Sequence, residues 1–412
     1  MALSDEQLVW RKNASFMFDV AFSRGLEWPS LTVDWLPRVV EEEECSVHSL
    51  VIGTHTAEGA MNEMHVVSVR LPVGEIDARE DFGKDLSEIV KSFSHPCGES
   101  NRLRHAPLAP KIVASKCANG EVYIFDIEKE GGPVSTLRGH SDEGFGLSWD
   151  PFVENRLASC AYDGSICLFD VDKEVVLCTR KDAHGKGNPV GDVAYSNFRK
   201  DFLGSVGDDA RVSFWSGLQE KPLLSFKAHE ADINSLSFSQ HEDFYFVTGS
   251  ADRTVKLWDL RQPSKALHSL DRPSDVVSVA WAPFGRAFVA AISGTKVSVL
   301  DLTEIGADTK ELQKATGIED DNDTNVIPEL VIDHSGHTGK LNAVAWSNNK
   351  NDLLGASVAD DNSLQIWLLN SDLYENDDTN DNEPYDFFDT LQHTTKDDVP
   401  PAKRAKQQQT KV

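Results

Sequence analysis

The chain has 412 residues, 40% of them hydrophobic, and its 67 acidic against 40 basic residues give a formal net charge of −27. So acidic a surface is expected not to bind nucleic acid directly, because phosphate contacts need a basic footprint, and no apolar run is long enough for a membrane helix. Such a field draws cationic partners instead.

The first residues, "MALSDEQLVWRKN", lack the apolar centre of a secretory signal. A nuclear protein, with some in the cytoplasm, is the expectation. Residues 1–25 are expected to form an N-terminal helix, with Leu8, Val9, Phe16, Met17 and Val20 at helical spacings. Ser4 is the candidate N-cap and Gly25 the stop.

Residues 26–376 carry a repeat. A weak first unit holds "EWPSLTVDWLP", "HSLVIGTHT" and "HVVSVRL". Six clearer units follow, built around "KIVASKCANGEVYIFD", "RLASCAYDGSICLFD", "FLGSVGDDARVSFWS", "FVTGSADRTVKLWD", "FVAAISGTKVSVLD" and "LLGASVADDNSLQIW". Each is an apolar strand, a turn rich in Asp, Gly or Asn, and an alternating strand. Most are preceded by a small residue and His, as in Gly139-His140, Ala183-His184, Ala228-His229 and Gly336-His337. Units of about 44 residues with four strands each are WD40 blades. The predicted fold is all-β: a seven-bladed WD40 propeller with an N-terminal helix and a short C-terminal helix at "LLNSDLYEN". The first and last segments are expected to share a blade.

His229, Ser250, Asp252 and Trp258 invite a catalytic or metal reading. Their recurrence from unit to unit favours a structural chain from the loop His through the turn Asp to the strand Trp. With no separate nucleophile, phosphate loop or metal cluster, neither catalysis nor a cofactor or metal is expected. Cys160 and Cys167 flank the Asp163-Gly164 turn and are expected to be reduced core thiols. An acidic insertion, 302–334, interrupts the beat with "IEDDNDTNVIPELVIDH". The tail, 377–412, is acidic and then basic, has the composition of disorder, and carries Lys403-Arg404-Ala405-Lys406 as a weak import signal.

"LEWPSLTVDWLP", "VIGTHT", "EGFGLSW" and "TGSADRTVKLWDLR" resemble the retinoblastoma-binding histone chaperones, the WD40 subunits of chromatin assembly factor, histone deacetylase, Polycomb-type and remodelling complexes. The resemblance runs from about residue 8 to about residue 375. It implies a non-catalytic histone-binding scaffold with two sites. A side groove for a helix of histone H4 would use Phe16, Met17 and Val20 with Glu319, Asp320, Asp321, Asp323, Ile327, Pro328 and Ile332. A narrow-face site for the histone H3 tail or an Arg-rich peptide would use Glu99, Asn101, Glu143, Phe145, Asp208, Asn234, Asp275, Asp360 and Asn362. The chain departs from the family at Ile327, where a first proline is usual, and at Gly191 and Val277, where an acid and an aromatic are usual. Two other readings use the same features. Related "EWPSLT" propellers escort a basic ribosomal protein, and Trp258-Asp259-Leu260-Arg261 matches the signature by which some propellers dock on a ubiquitin-ligase adaptor.

Overall fold

A computed structural model describes residues 5–57, 60–72, 85–96, 98–283, 287–306, 327–348 and 353–374. These form one helix, Asp5–Met17, and seven four-stranded antiparallel sheets. Six sheets are consecutive in the chain. Blade one starts at Val33–Glu41, blade two at Ser100–Ala106, blade three at Leu147–Trp149 and blade four at Val190–Tyr195. Blades five and six start at Ile233–Phe238 and Val276–Trp281. Blade seven is composite. Leu341–Trp346, Leu354–Ala359 and Ser363–Leu369 supply three strands, and Phe18–Gly25 from the other end of the chain supplies the fourth.

The innermost strand of each blade contacts those of its two neighbours, which closes the ring. Apolar residues fill each space between blades. Phe18, Ile332, Val344 and Trp367 lie between blades six and seven, and Val20, Phe22, Val33 and Trp35 between seven and one. Indole N–H groups stitch inner strands together: Trp35 donates to the carbonyl of Ala345, Trp149 to Arg104 and Trp346 to Ala280, at 2.9–3.2 Å. Gly355 must be glycine, because any Cβ there would overlap the Trp367 ring. The turn position with positive φ is Gly120, Gly164 and Gly294 in three blades but Ala210, Arg253 and Asn362 in three others.

Several expectations need correction. The helix stops at Met17, and residues 18–25 are strand. Phe18, Val20 and Phe22 match strand alternation as well as helix spacing, and the unpaired edge of Ser363–Leu369 decides between them. The propeller therefore begins at Phe18 rather than at residue 26. Within 302–334, Leu330–His334 is no loop but the outer strand of blade six, paired with Val297–Leu300. After Trp367 there is only a single 3₁₀ turn, Ser371–Leu373, in place of a helix. Ser4 and the tail from 375 onward lie outside the described residues.

Cys160 and Cys167 are free and buried, but they do not approach each other. Cys160 sits opposite Ile166, and Cys167 opposite Ser159, so strand alternation sends them to opposite faces.

Candidate functional site

Gln7, Trp10, Ala14 and Met17 lie three or four residues apart, on one face of the N-terminal helix. The Trp10 ring meets His334 at 5.0 Å and Phe18 at 6.2 Å between centroids. The Gln7 amide donates to the carbonyl of His337 at 2.8 Å, and the N–H of Asn370 donates to the carbonyl of Met17 at 3.1 Å. The helix is thereby fixed across the outer edges of blades six and seven, beside the strand that follows the acidic insertion. Its other face is uncovered. Leu8, Val9 and Phe16 are 44%, 57% and 74% exposed, an apolar row beside Lys12.

The groove residues named from the sequence separate into three groups. Phe16 is open, Met17 is half-buried against the cluster that holds Ile332, and Ile327 and Pro328 are half-buried in the turn entering the outer strand of blade six. Val20 and Ile332 are core. They are 5% and 6% exposed, because each belongs to a strand whose inward positions fill the gap between blades, so neither is available to a partner. Glu319, Asp320, Asp321 and Asp323 lie outside the described residues. Sequence reasoning missed Glu329, which is buried and paired with His268 at 2.9 Å.

At one end of the ring axis the loops surround a cavity of about 480 Å³. Phe145, Asp208, Asn234 and Asp275 line it, with Tyr162, Asp232, Lys340 and Arg102, which were not foreseen. Burial, together with the Asp232 and Asp209 carboxylates, raises the pKa of Asp208. The Phe145 and Tyr162 rings stand 6.1 Å apart, a pair of faces suited to a flat cation. Gly191 and Val277 also line the cavity, so both departures widen its apolar wall. Superimposing the blades would have found Asp232 and Lys340. Each immediately precedes an inner strand, the position of Glu99 and Asp275.

The other named residues do not line this cavity. Asn101 is 1% exposed, its amide donating to Glu143 and to the carbonyl of Gly144. Asn362 is a left-handed turn residue that donates to the carbonyl of Glu27 at 3.1 Å and accepts from Leu26 N–H at 2.7 Å. Both have structural roles, since their polar atoms are already used. Asp360 accepts from Asn342 at 2.8 Å. Glu99 is half-buried on the rim.

The recurring histidines form a different network. His229 Nδ1 lies 2.9 Å from Asp252, and its Nε2 lies 2.7 Å from the Thr248 hydroxyl, which also accepts from Trp258 Nε1 at 2.9 Å. A carboxylate only accepts, so Nδ1–H donates and Nε2 accepts from Thr248. The order is Asp–His–Thr–Trp, with His rather than Asp in the middle. Ser250 instead donates to the carbonyls of Ala231 and Asp232. Blades four and seven repeat the chain through His184 and Ser205, and through His337 and Ser357. Arg261 is engaged by its own blade, pairing with Asp259 at 2.9 Å, bonding the Tyr245 hydroxyl at 2.7 Å and lying over Phe244.

These networks set an acid limit. Burial drives His229 down to about 4. Burial works against the Asp252 carboxylate, but hydrogen bonds from Thr254, Glu230 N–H and His229 outweigh it and hold the group at about 2. The unfolded chain therefore binds more protons than the folded one between pH 6.5 and 4 at the histidine, and between 3.8 and 2 at the aspartate. Stability falls as pH falls through both windows. Thermal melts are expected to show a melting temperature dropping continuously below pH 6.5. A flat profile from pH 7 to 3 contradicts this.

Lys116 is the other outlier. It is fully buried, its ammonium donating to the carbonyl of Gly120 at 2.7 Å, and burial pushes its pKa down to about 8. Folded-state stability should rise with pH between 8 and 10.5, as the unfolded chain retains the proton longer. Lys116→Met is expected to raise the melting temperature at pH 7 and to remove that rise. A lower melting temperature for the variant counts against it.

Two family models match the chain. Residues 5–73, the helix, the closing strand and three strands of blade one, match the model for the histone-binding protein RBBP4 and its counterpart within the CAF1 complex. Residues 131–170, 220–259 and 328–367 match the WD domain, G-beta repeat.

Proposed function

We propose that this WD40-repeat protein, of the RBBP4/CAF1 histone-binding type, is a non-catalytic scaffold that holds histone H4 as a helix along its side. The single observation behind this reading is the uncovered apolar row Leu8, Val9 and Phe16, on a helix fixed beside the strand that follows the acidic insertion. An amphipathic helix can lay its apolar face on that row while its Arg and Lys side chains meet the insertion carboxylates. The apolar contact supplies affinity, and the charges set approach and orientation.

The axial mouth is the proposed second site, for the H3 tail or an Arg-rich cofactor segment, alone or as part of an H3–H4 dimer. Its carboxylates Asp208, Asp232 and Asp275 and the rings of Phe145 and Tyr162 suit a guanidinium. Lys340 and Arg102 on the same wall keep that guanidinium near the rim. The chain would then link histones to chromatin assembly, deacetylase, Polycomb-type or remodelling machinery in the nucleus.

Purified chain is expected to bind an H4 helix peptide, and changing Asp320 and Asp321 together to Lys should weaken it by more than about tenfold at moderate salt. Unchanged affinity removes the insertion from the site. Preference for a basic ribosomal protein over the H4 peptide would favour the escort reading. Co-purification with a cullin adaptor, lost on Arg261→Ala, would favour the ubiquitin-ligase reading.

A further inference from the structure

Behind the acidic mouth lies a second chamber of about 270 Å³ on the ring axis, lined from the inner strands of all seven blades. Two arginines enter it. Arg102 and Arg104 are two residues apart on the inner strand of blade two, so both side chains leave the same face of that strand. Arg102 lines the mouth as well and stands where the two cavities meet. Its Nε donates to the carbonyl of Phe145 at 2.8 Å, and Nη1 of Arg104 donates to the carbonyl of Leu103 at 2.8 Å. Among the described residues neither guanidinium forms an ion pair.

The chamber does contain carboxylates, but they are turned to other donors. Asp34 Oδ2 accepts from the backbone N–H of His105 and from its ring Nδ1, both at 2.8 Å. Asp192 accepts from the N–H groups of Val193 and Leu236 and from the Ser235 hydroxyl, at 2.9–3.2 Å. Most N–H groups of the two guanidiniums are therefore left facing the chamber without an acceptor. A planar fork of such donors in a confined space matches a carboxylate or a small inorganic anion.

We propose that the axial chamber is an anion site, in which Arg102 and Arg104 together receive a small monovalent anion or the carboxylate of an acidic side chain. Burial and the neighbouring Arg102 push the Arg104 guanidinium down to about 10, against the pull of Asp34 and Asp192, and a bound anion relieves both effects. The axis then changes sign with depth. Cations are received at the rim, and beyond Arg102 the preference reverses. This goes beyond histone binding and stands whether or not the side groove takes H4.

The test uses full-length chain. Crystals soaked in bromide should show an anomalous peak within hydrogen-bond reach of Arg102 and Arg104. Bromide and, separately, acetate titrated at constant ionic strength should raise the melting temperature. In Arg104→Met the apparent Kd for the same anions should rise by more than about tenfold. A response to bromide assigns the site to free ions, and a response to acetate alone assigns it to carboxylates; either supports the proposal. No peak in the chamber, with wild type and Arg104→Met shifting equally, overturns it. Should Arg104→Met fail to fold, Arg102→Gln takes its place in the titration, and the wild-type diffraction decides in any case.

Discussion

A chain lacking residues 1–25 is expected not to fold into a ring. Those residues supply the fourth strand of blade seven, in register from Phe18 opposite Leu369 to Gly25 opposite Ser363. They also bury Phe18, Val20, Ala21 and Phe22 at 0–6% exposure on the two faces of that blade. Deleting one such aromatic costs about 3–5 kcal/mol, and a whole domain is stable by only about 5–15 kcal/mol. Losing the strand removes several such contributions and leaves Ser363–Leu369 as a bare edge open to pairing with other chains. Size-exclusion chromatography should find the truncated chain aggregated, and circular dichroism should find no cooperative melt. Phe18→Ala alone should lower stability by about 3–5 kcal/mol. A soluble truncated chain with the parental melting temperature would mean that three strands suffice for blade seven.

Phe16→Asp and Met17→Asp, neighbours in sequence, are expected to fail in different ways. Phe16 is 74% exposed, so a carboxylate there meets water in the free protein and the melting temperature should hold. In the H4 complex the same carboxylate sits in the apolar contact, and affinity should fall by more than about tenfold. Met17 packs against the cluster of Phe18, Ile332 and Trp367. A charge at that position should cost about 1–3 kcal/mol of stability and weaken binding only through loss of fold. Calorimetric titration with an H4 helix peptide, paired with thermal melts, separates the two. Full binding by Phe16→Asp would mean that the helix is no part of the groove.

The repeat was legible because its signals are local. Strand alternation, the turn residues and the loop histidines each lie within one unit, and the blades in the structure follow them. What escaped depended on partners distant in the chain. Phe18–Gly25 has a sequence that suits either helix or strand, and an edge about 340 residues away makes it strand. Val20 and Ile332 look like surface anchors when taken as part of a helix or a loop, and become core once their strands are placed. Asn101 and Asn362 have the polarity of contact residues, but Gly144 and Glu27 already occupy their amides. Arg102 and Arg104 drew no attention, since alternating arginines are ordinary on an outer strand. Only ring closure shows that this strand is innermost.

The composite blade also governs timing during synthesis. Phe18 leaves the ribosome 351 residues before its partner Leu369, an interval of about 20–70 s at ordinary elongation rates. Throughout that wait the oldest part of the chain keeps a greasy segment without a mate, while completed blades stack into an open arc. Cells making this protein must shelter that segment until translation nears its end. A circular permutant that begins between two ordinary blades would shift the delay to a different seam.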